Sequence, residues 1–173
     1  MSVLEKFKSI RTFVFDVDGV MTDGSVQVFE TGEQVRRMNT RDGYSLQLAI
    51  KKGYRVLVIS GGASEGVRQR LEYLGISDIF LKVKDKKEIL EQYAKEHRLE
   101  EKDILYMGDD IPDYAVMKQV GLACAPADAA PEIRHIAAYI SSFGGGQGCV
   151  RDVIEKVLKL NGQWDLDVSV ASN

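Results

Sequence analysis

The chain has 173 residues, of which 45% are hydrophobic and 28% are charged, with a formal net charge of -3. This composition is typical of one globular domain and excludes a disordered or fibrous protein. The charge leaves no basic surface for nucleic acid, although a pair such as Arg36 and Arg37 could meet a single phosphate. No apolar run approaches the roughly 20 residues of a membrane-spanning helix, and the first ten residues lack a signal peptide's apolar core. We therefore expect a cytoplasmic protein with no membrane partner.

Apolar runs of strand length alternate with segments of helical period along most of the chain. The runs predict strands at 12–15, 55–59, 79–81, 104–107, 122–125 and 139–140. The other segments predict helices at about 43–52, 65–74, 86–97, 111–119, 130–136 and 149–160. This alternation indicates a doubly wound α/β fold, in which helices cover both faces of a parallel sheet.

One early segment departs from this alternation. The runs 25–29 and 34–39 flank the turn sequence Glu30-Thr31-Gly32-Glu33 with β-branched residues. We expect a β-hairpin over about 25–39 that projects from the sheet. No linker divides the chain, so we expect a single domain over residues 1–164 and a polar C-terminal tail over 165–173.

Polar motifs follow three of the predicted strands where those strands end. They are Asp16-Val17-Asp18-Gly19, Ser60-Gly61 and Gly108-Asp109-Asp110-Ile111-Pro112-Asp113. Ligands of an open α/β sheet bind beyond the carboxyl ends of its strands, so these residues should share one site. Asp16 and Asp18 would lean to one face of an extended segment, where their repulsion calls for a cation. Oxygen ligands with no Cys or His nearby favour Mg²⁺ over Zn²⁺.

Each motif alone has an ordinary structural explanation. Asp-Gly pairs often mark turns, and an Asp after a strand often caps a helix. Turn chemistry gives no reason for all of these motifs to occur in order at strand ends. Taken together, the motifs favour a functional site.

The ordered motifs resemble those of the haloacid dehalogenase superfamily: Asp-x-Asp-Gly, a Ser or Thr, a Lys, and Gly-Asp-Asp-x-x-Asp. The resemblance covers nearly the whole chain and implies a Mg²⁺-dependent phosphatase. It implies that Asp16 is the nucleophile that forms an aspartyl phosphate and that Asp18 is the general acid and base. Ser60, the amide of Gly61 and Lys86 would bind the phosphate.

The same resemblance implies a set of metal ligands. Asp16, the main-chain carbonyl of Asp18, and Asp109 would hold the Mg²⁺. Asp110 and Asp113 would lie next to these ligands without binding the metal, or would orient Lys86.

A narrower resemblance concerns the 3-deoxy-D-manno-octulosonate 8-phosphate phosphatases, which lack a cap domain. The segment between Ser60 and Lys86 is too short for a cap, and the resemblance rests on residues 18–24, 39–43 and 144–148 with Arg151. It implies a phosphorylated sugar acid as substrate, in the synthesis of lipopolysaccharide precursors. It also implies a homotetramer in which hairpins pack together and a neighbour's C-terminal segment closes the active site.

Further substrate-binding residues are predicted by this narrower resemblance. They are Asn39, Thr40, Arg41, Asp42, Gly43 and Arg70. Arg41 could bind a carboxylate as a fork, and Asn39 and Asp42 could hydrogen-bond sugar hydroxyls. The alternatives are a charged turn after a strand and an ordinary exposed helical arginine.

Two departures from the family pattern leave the substrate open. Many members have Arg where this chain has Gly62, and Asn where it has Pro112. The substrate could therefore be a nine-carbon acid 9-phosphate of the sialic or deaminated sialic type. Alternatives of another class are a receiver-like domain and an inactive phosphate-binding module. A receiver has no general acid two residues after its acceptor, so Asp18 argues against that alternative, and the filled catalytic positions argue against an inactive module.

Overall fold

The structure is a computed structural model that describes residues 1–171, so Ser172 and Asn173 of the predicted tail lie outside the described residues. The strands are β1 (Thr12–Phe15), β2 (Gln27–Val28), β3 (Gln34–Val35), β4 (Arg55–Ile59), β5 (Asp78–Phe80), β6 (Ile104–Met107), β7 (Leu122–Ala125) and β8 (Tyr139–Ile140). The helices are α1 (Val3–Ser9), α2 (Thr40–Lys51), α3 (Glu65–Tyr73), α4 (Lys86–Glu96), α5 (Tyr114–Met117), α6 (Pro131–Ile136) and α7 (Cys149–Leu160).

Six strands form one parallel sheet in the order β5-β4-β1-β6-β7-β8. β1 lies between β4 and β6, with Val14 paired to Leu57 on one side and to Tyr106 on the other. The strand order reverses at β1, which creates a crevice at the carboxyl end of the sheet. The predicted doubly wound α/β class is confirmed.

Helices bury both faces of this sheet. Phe13 and Phe15 of β1 pack on the face covered by α1, α2, α3 and α7, whereas Val14 packs on the face covered by α4, α5 and α6. All three side chains are fully buried, and burial of such a side chain contributes about 1.5–3 kcal/mol. Neither face of such a strand contacts solvent, so its residues are apolar without alternation. This explains why these strands appear in the sequence as continuous apolar runs.

The main differences from the predicted elements concern one strand, the length of one helix and one helix that was not predicted. The third strand spans Asp78–Phe80 rather than 79–81, and α1 was not predicted although Ser2 and Glu5 form a capping box at its start. The helix predicted at 111–119 is wrong in length. It is a 3₁₀ turn, Ile111–Asp113, followed by the four-residue α5, because a capping box between Asp110 and Asp113 sets the first turn.

The predicted hairpin is present, with shorter strands than expected. Gln27 pairs with Val35, and an isolated bridge between Thr22 and Met38 ties the base of the hairpin to the loop after β1. Several apolar hairpin side chains are exposed: Val26, Val28, Phe29 and Val35. A cluster of exposed apolar side chains on a projecting element is typical of an interaction surface.

The described part of the polar tail lies against α2. Lys51 and Lys52 pair with Asp167 and Asp165 at 2.6 and 2.8 Å, and Tyr44 donates a hydrogen bond to the carbonyl of Asp167. Exposed ion pairs of this kind contribute little individually. Within residues 1–171, none of the helices combines the length and the apolar character needed to cross a bilayer.

Candidate active site

The carboxylate of Asp16 lies buried at the end of β1, with 7% of the residue exposed. Its Oδ1 accepts a hydrogen bond from the Val17 amide at 2.7 Å, and its Oδ2 lies 2.9 Å from Nζ of Lys86. Lys86 begins α4 after the N-cap Asp85, and it is also buried. The start of α4 therefore carries the lysine across the crevice to the end of β1.

Asp113 is the buried centre of this network, with 0% of the residue exposed. Its Oδ1 accepts hydrogen bonds from Lys86 at 2.7 Å and from the Tyr106 hydroxyl at 2.6 Å. Its Oδ2 accepts from the Asp109 amide at 3.1 Å. A Cβ on Gly108 would lie 2.4 Å from the Asp113 side chain, so only glycine permits this approach. Asp113 thus fixes both the lysine and the loop after β6.

Carboxylates converge where a cation would bind. Oxygens of Asp16, Asp109 and Asp113 lie within 4.8 Å of one another. Asp113 is fully buried and accepts hydrogen bonds from two side chains and the Asp109 amide. Asp16 is held only by the Val17 amide and Lys86 among the contacts described, and Asp109 is partly exposed, which makes Asp16 and Asp109 the better ligands. A cluster of carboxylate oxygens fits Mg²⁺.

Gly19 allows Asp109 to approach the loop after β1. Its φ is +85°, and a Cβ at this position would lie 1.9 Å from Oδ2 of Asp109. The Asp109 carboxylate therefore packs against the main chain directly after Asp18. The main-chain carbonyl of Asp18 is the third predicted metal ligand. The residues present fit the metal.

The electrostatics of the cluster also call for a cation. Burial, followed by the charge of Asp113, raises the pKa of Asp16 to about 7, and Lys86 only partly opposes this. Burial, followed by the charge of Asp16, likewise raises the pKa of Asp109 to about 7. Burial disfavours the Lys86 ammonium, but Asp16 and Asp113 outweigh it and raise the pKa of Lys86. One ammonium does not neutralise three carboxylates, so a divalent cation completes the charge balance.

We expect Mg²⁺ to stabilise the protein more at pH 8 than at pH 5. Without metal, the folded-state pKa values of Asp16 and Asp109 are about 7, above the ordinary unfolded value of about 3.9. Between these pKa values the folded state binds more protons than the unfolded state. The free energy of unfolding is therefore highest below about pH 4 and falls as the pH rises towards 7. Bound Mg²⁺ removes this loss.

At pH 8, Mg²⁺ at about 100 times its Kd should add about 2.7 kcal/mol of stability, or about 5–10 °C in Tm. Thermal denaturation in chelator and in Mg²⁺, at each pH unit from 5 to 8, measures this effect. KCl at matched ionic strength is the control. An equal Mg²⁺ effect at pH 5 and pH 8 would contradict the expectation.

Asp18 does not join the carboxylate cluster, because an arginine of the hairpin holds it. Nε of Arg36 donates to Oδ1 of Asp18 at 2.6 Å, and Nη2 donates to Oδ2 at 3.3 Å. The sequence suggested Arg36 only as a phosphate contact. The pairing depends on how the hairpin folds back onto the loop after β1, which local sequence does not specify.

A cleft of about 460 Å³ opens above these groups. Ser60, at the end of β4, is buried, and its Oγ accepts a hydrogen bond from the Gly62 amide at 3.1 Å. The predicted catalytic, phosphate-binding and metal-binding residues all line this cleft: Asp16, Asp18, Ser60, Gly61, Lys86, Asp109, Asp110 and Asp113. The carboxyl ends of three neighbouring strands thus assemble one acidic site with a single buried ammonium.

Two of the predicted substrate-binding residues, Asn39 and Asp42, join α2 to neighbouring segments, and a third, Gly43, is buried within α2. Asn39 caps α2, and its Nδ2 donates to the carbonyl of Gly146 at 3.1 Å. Asp42 is buried and accepts from the Arg151 amide at 2.8 Å, and burial raises the pKa of Asp42 to about 6. None of the three lines the acidic cleft.

The other predicted substrate-binding residues line separate cavities. Arg41 lies with Arg151 beside α7, in a cavity of about 460 Å³. Thr40 and Arg70 lie with Arg36 between the hairpin and α3, in a cavity of about 440 Å³. Within one chain, the predicted substrate contacts are therefore divided between different surfaces.

Comparisons with known proteins identify similar sequences and folds. A family model described as haloacid dehalogenase-like hydrolase matches residues 72–148. The 3-deoxy-D-manno-octulosonate 8-phosphate phosphatase KdsC of Escherichia coli (strain K12) is 33% identical over 163 residues, which cover 94% of this chain and 87% of that protein. The enzyme of the same name from Yersinia pestis is 34% identical and covers 96% and 91% of the two chains.

Solved structures of such enzymes share the fold. The crystal structure of the phosphatase from Yersinia pestis has a TM-score of 0.91 at 33% identity, covering 93% of this chain and 87% of that one. The phosphatase from Moraxella catarrhalis, in complex with a magnesium ion, a phosphate ion and KDO, has a TM-score of 0.88 at 32% identity, covering 91% and 90%.

Proposed function

Since the chain belongs to the haloacid dehalogenase-like hydrolases and is a phosphatase of that family, we propose that it hydrolyses 3-deoxy-D-manno-octulosonate 8-phosphate during the synthesis of lipopolysaccharide precursors. The observation that carries this proposal is the acidic cleft, where the buried Asp16 carboxylate lies 2.9 Å from the Lys86 ammonium. Mg²⁺ is the cofactor of this site. The named relatives, which are similar over nearly the whole chain, support this choice of substrate.

Asp16 performs the first half of the reaction. Its carboxylate attacks phosphorus, so that an Asp16 oxygen–phosphorus bond forms while the ester bond breaks. Asp18 donates a proton to the leaving sugar oxygen. Lys86 holds Asp16 as the anion that the attack requires.

Hydrolysis of the aspartyl phosphate completes the cycle. The Asp18 carboxylate takes a proton from water, and this water attacks phosphorus and releases phosphate and free Asp16. Ser60, the Gly61 amide and Lys86 bind the phosphoryl oxygens. Bound Mg²⁺, held by Asp16, the Asp18 carbonyl and Asp109, supplies positive charge to the transferring group. Together these groups must lower the barrier by on the order of 20 kcal/mol.

The cleft of a single chain is open, and we propose that a homotetramer encloses it. The exposed Val28 and Phe29 of the hairpin would pack against other hairpins, and a neighbour's C-terminal segment would cover the sugar. The glycine-rich segment 144–148 would form part of the enclosed surface. The Gly146 amide donates to the carbonyl of Val20 at 2.9 Å, so this segment lies beside the catalytic loop. We place the enzyme in the cytoplasm.

A nine-carbon acid 9-phosphate is the second candidate substrate. The observation that favours it is Gly62, which presents no side chain to the sugar side of the cleft that it lines. This substrate would leave the roles of Asp16 and Asp18 unchanged. A receiver-like or inactive module is disfavoured, because a phosphate-holding domain needs no carboxylate in the place of Asp18.

Phosphate release tests the proposal directly. We expect purified protein with Mg²⁺ to hydrolyse the eight-carbon substrate with a kcat/KM at least about 10-fold above those of the nine-carbon acid phosphates and simple sugar phosphates. Phosphate release by Asp16→Asn protein, purified in the same way, measures the activity of any contaminating phosphatase. A preference for a nine-carbon acid phosphate would make that compound the proposed substrate. No phosphate release from any of the compounds would reject the proposed enzymatic activity.

A further inference from the structure

Arg36 of the hairpin forms a two-bond fork with Asp18. The two donor–acceptor distances are 2.6 and 3.3 Å. Only 9% of the Arg36 side chain is exposed, whereas 35% of the Asp18 side chain is exposed. An arginine fork that is desolvated on its own side fixes the plane of a carboxylate as well as its position.

Gly62 provides the space for this fork. A Cβ on Gly62 would lie 3.4 Å from Oδ2 of Asp18 and 3.8 Å from Nη2 of Arg36. A long side chain would extend past these contacts into the volume that the guanidinium fills. The glycine at the end of β4 and the arginine after β3 therefore form one arrangement around Asp18.

We propose that Arg36 is a positioning residue that holds Asp18 in the orientation needed for proton transfer. This inference rests on the proposed function, in which Asp18 protonates the leaving oxygen. In its acid form the Asp18 carboxyl carries one proton, and a fork that uses two of its roughly four oxygen sites leaves another to hold the proton that it donates to the leaving oxygen. Arg36 also pairs with the carboxylate that remains after Asp18 has given its proton to the leaving oxygen.

The arrangement links the hairpin to catalysis. Arg36 directly follows β3, and the bridge between Thr22 and Met38 fastens the segment after β3 to the loop that carries Asp18. A shift of the hairpin would therefore move the guanidinium relative to the acid. The orientation of Asp18 depends in this way on an element outside the parallel sheet.

Leaving-group dependence tests the proposal. Protonation matters for an alkyl phosphate, whose alkoxide is a poor leaving group, and little for p-nitrophenyl phosphate, whose phenolate is stable. We expect Arg36→Met to lower kcat/KM for the sugar acid phosphate by roughly 10²-fold and for p-nitrophenyl phosphate by less than about threefold. Arg36→Lys, which keeps the charge but not the fork, should recover part of the loss. Arg134→Met, at an exposed arginine of α6 that does not line the acidic cleft, is the matched control and should change neither value.

A double-mutant comparison separates this inference from the proposed function. Asp18→Asn should show the same substrate dependence, and adding Arg36→Met to it should cost nothing further, because both changes remove one interaction. Equal losses on both substrates, or additive losses with Asp18→Asn, would overturn the positioning role. If Asp18→Asn itself fails to discriminate between the substrates, the proposed acid role fails, and the inference fails with it. A retained kcat/KM for p-nitrophenyl phosphate shows that a variant is folded.

Discussion

Asp16→Asn is expected to lower kcat for phosphate release by at least about 10⁴-fold, because the amide cannot form the acyl phosphate on which the two-step reaction depends. The side chain has nearly the same volume, and its buried position after β1 is retained. Steady-state phosphate release with Mg²⁺ measures the loss. Glu91→Gln, an equivalent change at an exposed residue of α4 that pairs with Lys87, is the control and should keep full activity.

The same substitution should raise thermal stability in the absence of metal. Asp16 is buried beside Asp109 and Asp113 with one ammonium between them, so replacing it with a neutral amide removes repulsion. We expect Asp16→Asn to have the higher Tm in chelator at pH 8 and a smaller response to Mg²⁺ than the wild type. Loss of activity together with a lower Tm in chelator would instead indicate damage to the fold.

The parallel sheet was predictable because each of its strands leaves a signal in its own short segment of sequence. Thr12–Phe15 and Ile104–Met107 are buried on both faces, and a fully buried strand is a short continuous apolar run. The predicted bounds of both strands agree with the structure. The sequence also predicted that Asp16, Ser60 and Asp109 would meet, since the carboxyl ends of parallel strands share one edge.

Tertiary pairing was not predictable in the same way. Asn39 and Asp42 have the chemistry to bind sugar hydroxyls, but in this chain they hydrogen-bond to Gly146 and Arg151, more than a hundred residues away. Nothing in a local pattern distinguishes a carboxylate that caps a distant helix from one that binds a ligand. The partner of Asp18 was missed for the same reason, because it lies on a hairpin whose placement depends on contacts with the loop after β1.

Asp113 illustrates a residue whose type was predicted and whose importance was underestimated. The motif suggested a supporting role near the metal. In the structure it accepts hydrogen bonds from Lys86, Tyr106 and the Asp109 amide, and it also takes part in the capping box with Asp110 that sets the 3₁₀ turn at Ile111–Asp113. A fully buried acceptor with three kinds of donor controls the local backbone as much as the chemistry.

We expect Asp113→Ala to lower the free energy of unfolding by about 3–5 kcal/mol, a large share of the 5–15 kcal/mol typical of a domain. The Tyr106 hydroxyl and the Asp109 amide would lose their acceptor, and Lys86 would keep only Asp16. Activity should also fall, because the ammonium would no longer be fixed between two carboxylates. Urea denaturation with and without Mg²⁺ measures the stability change.

Tyr106→Phe is the matched control for the Asp113 variant, since it removes only one hydrogen bond of the same network and should cost about 0.5–1.5 kcal/mol. Asp113 also repels Asp16 and Asp109, and its removal relieves that repulsion. The two effects have opposite signs, and the lost hydrogen bonds should dominate because their donors stay buried. An Asp113→Ala variant within about 1 kcal/mol of the wild type in chelator would mean that repulsion dominates instead, and that Asp113 is retained for metal and phosphate chemistry rather than for stability.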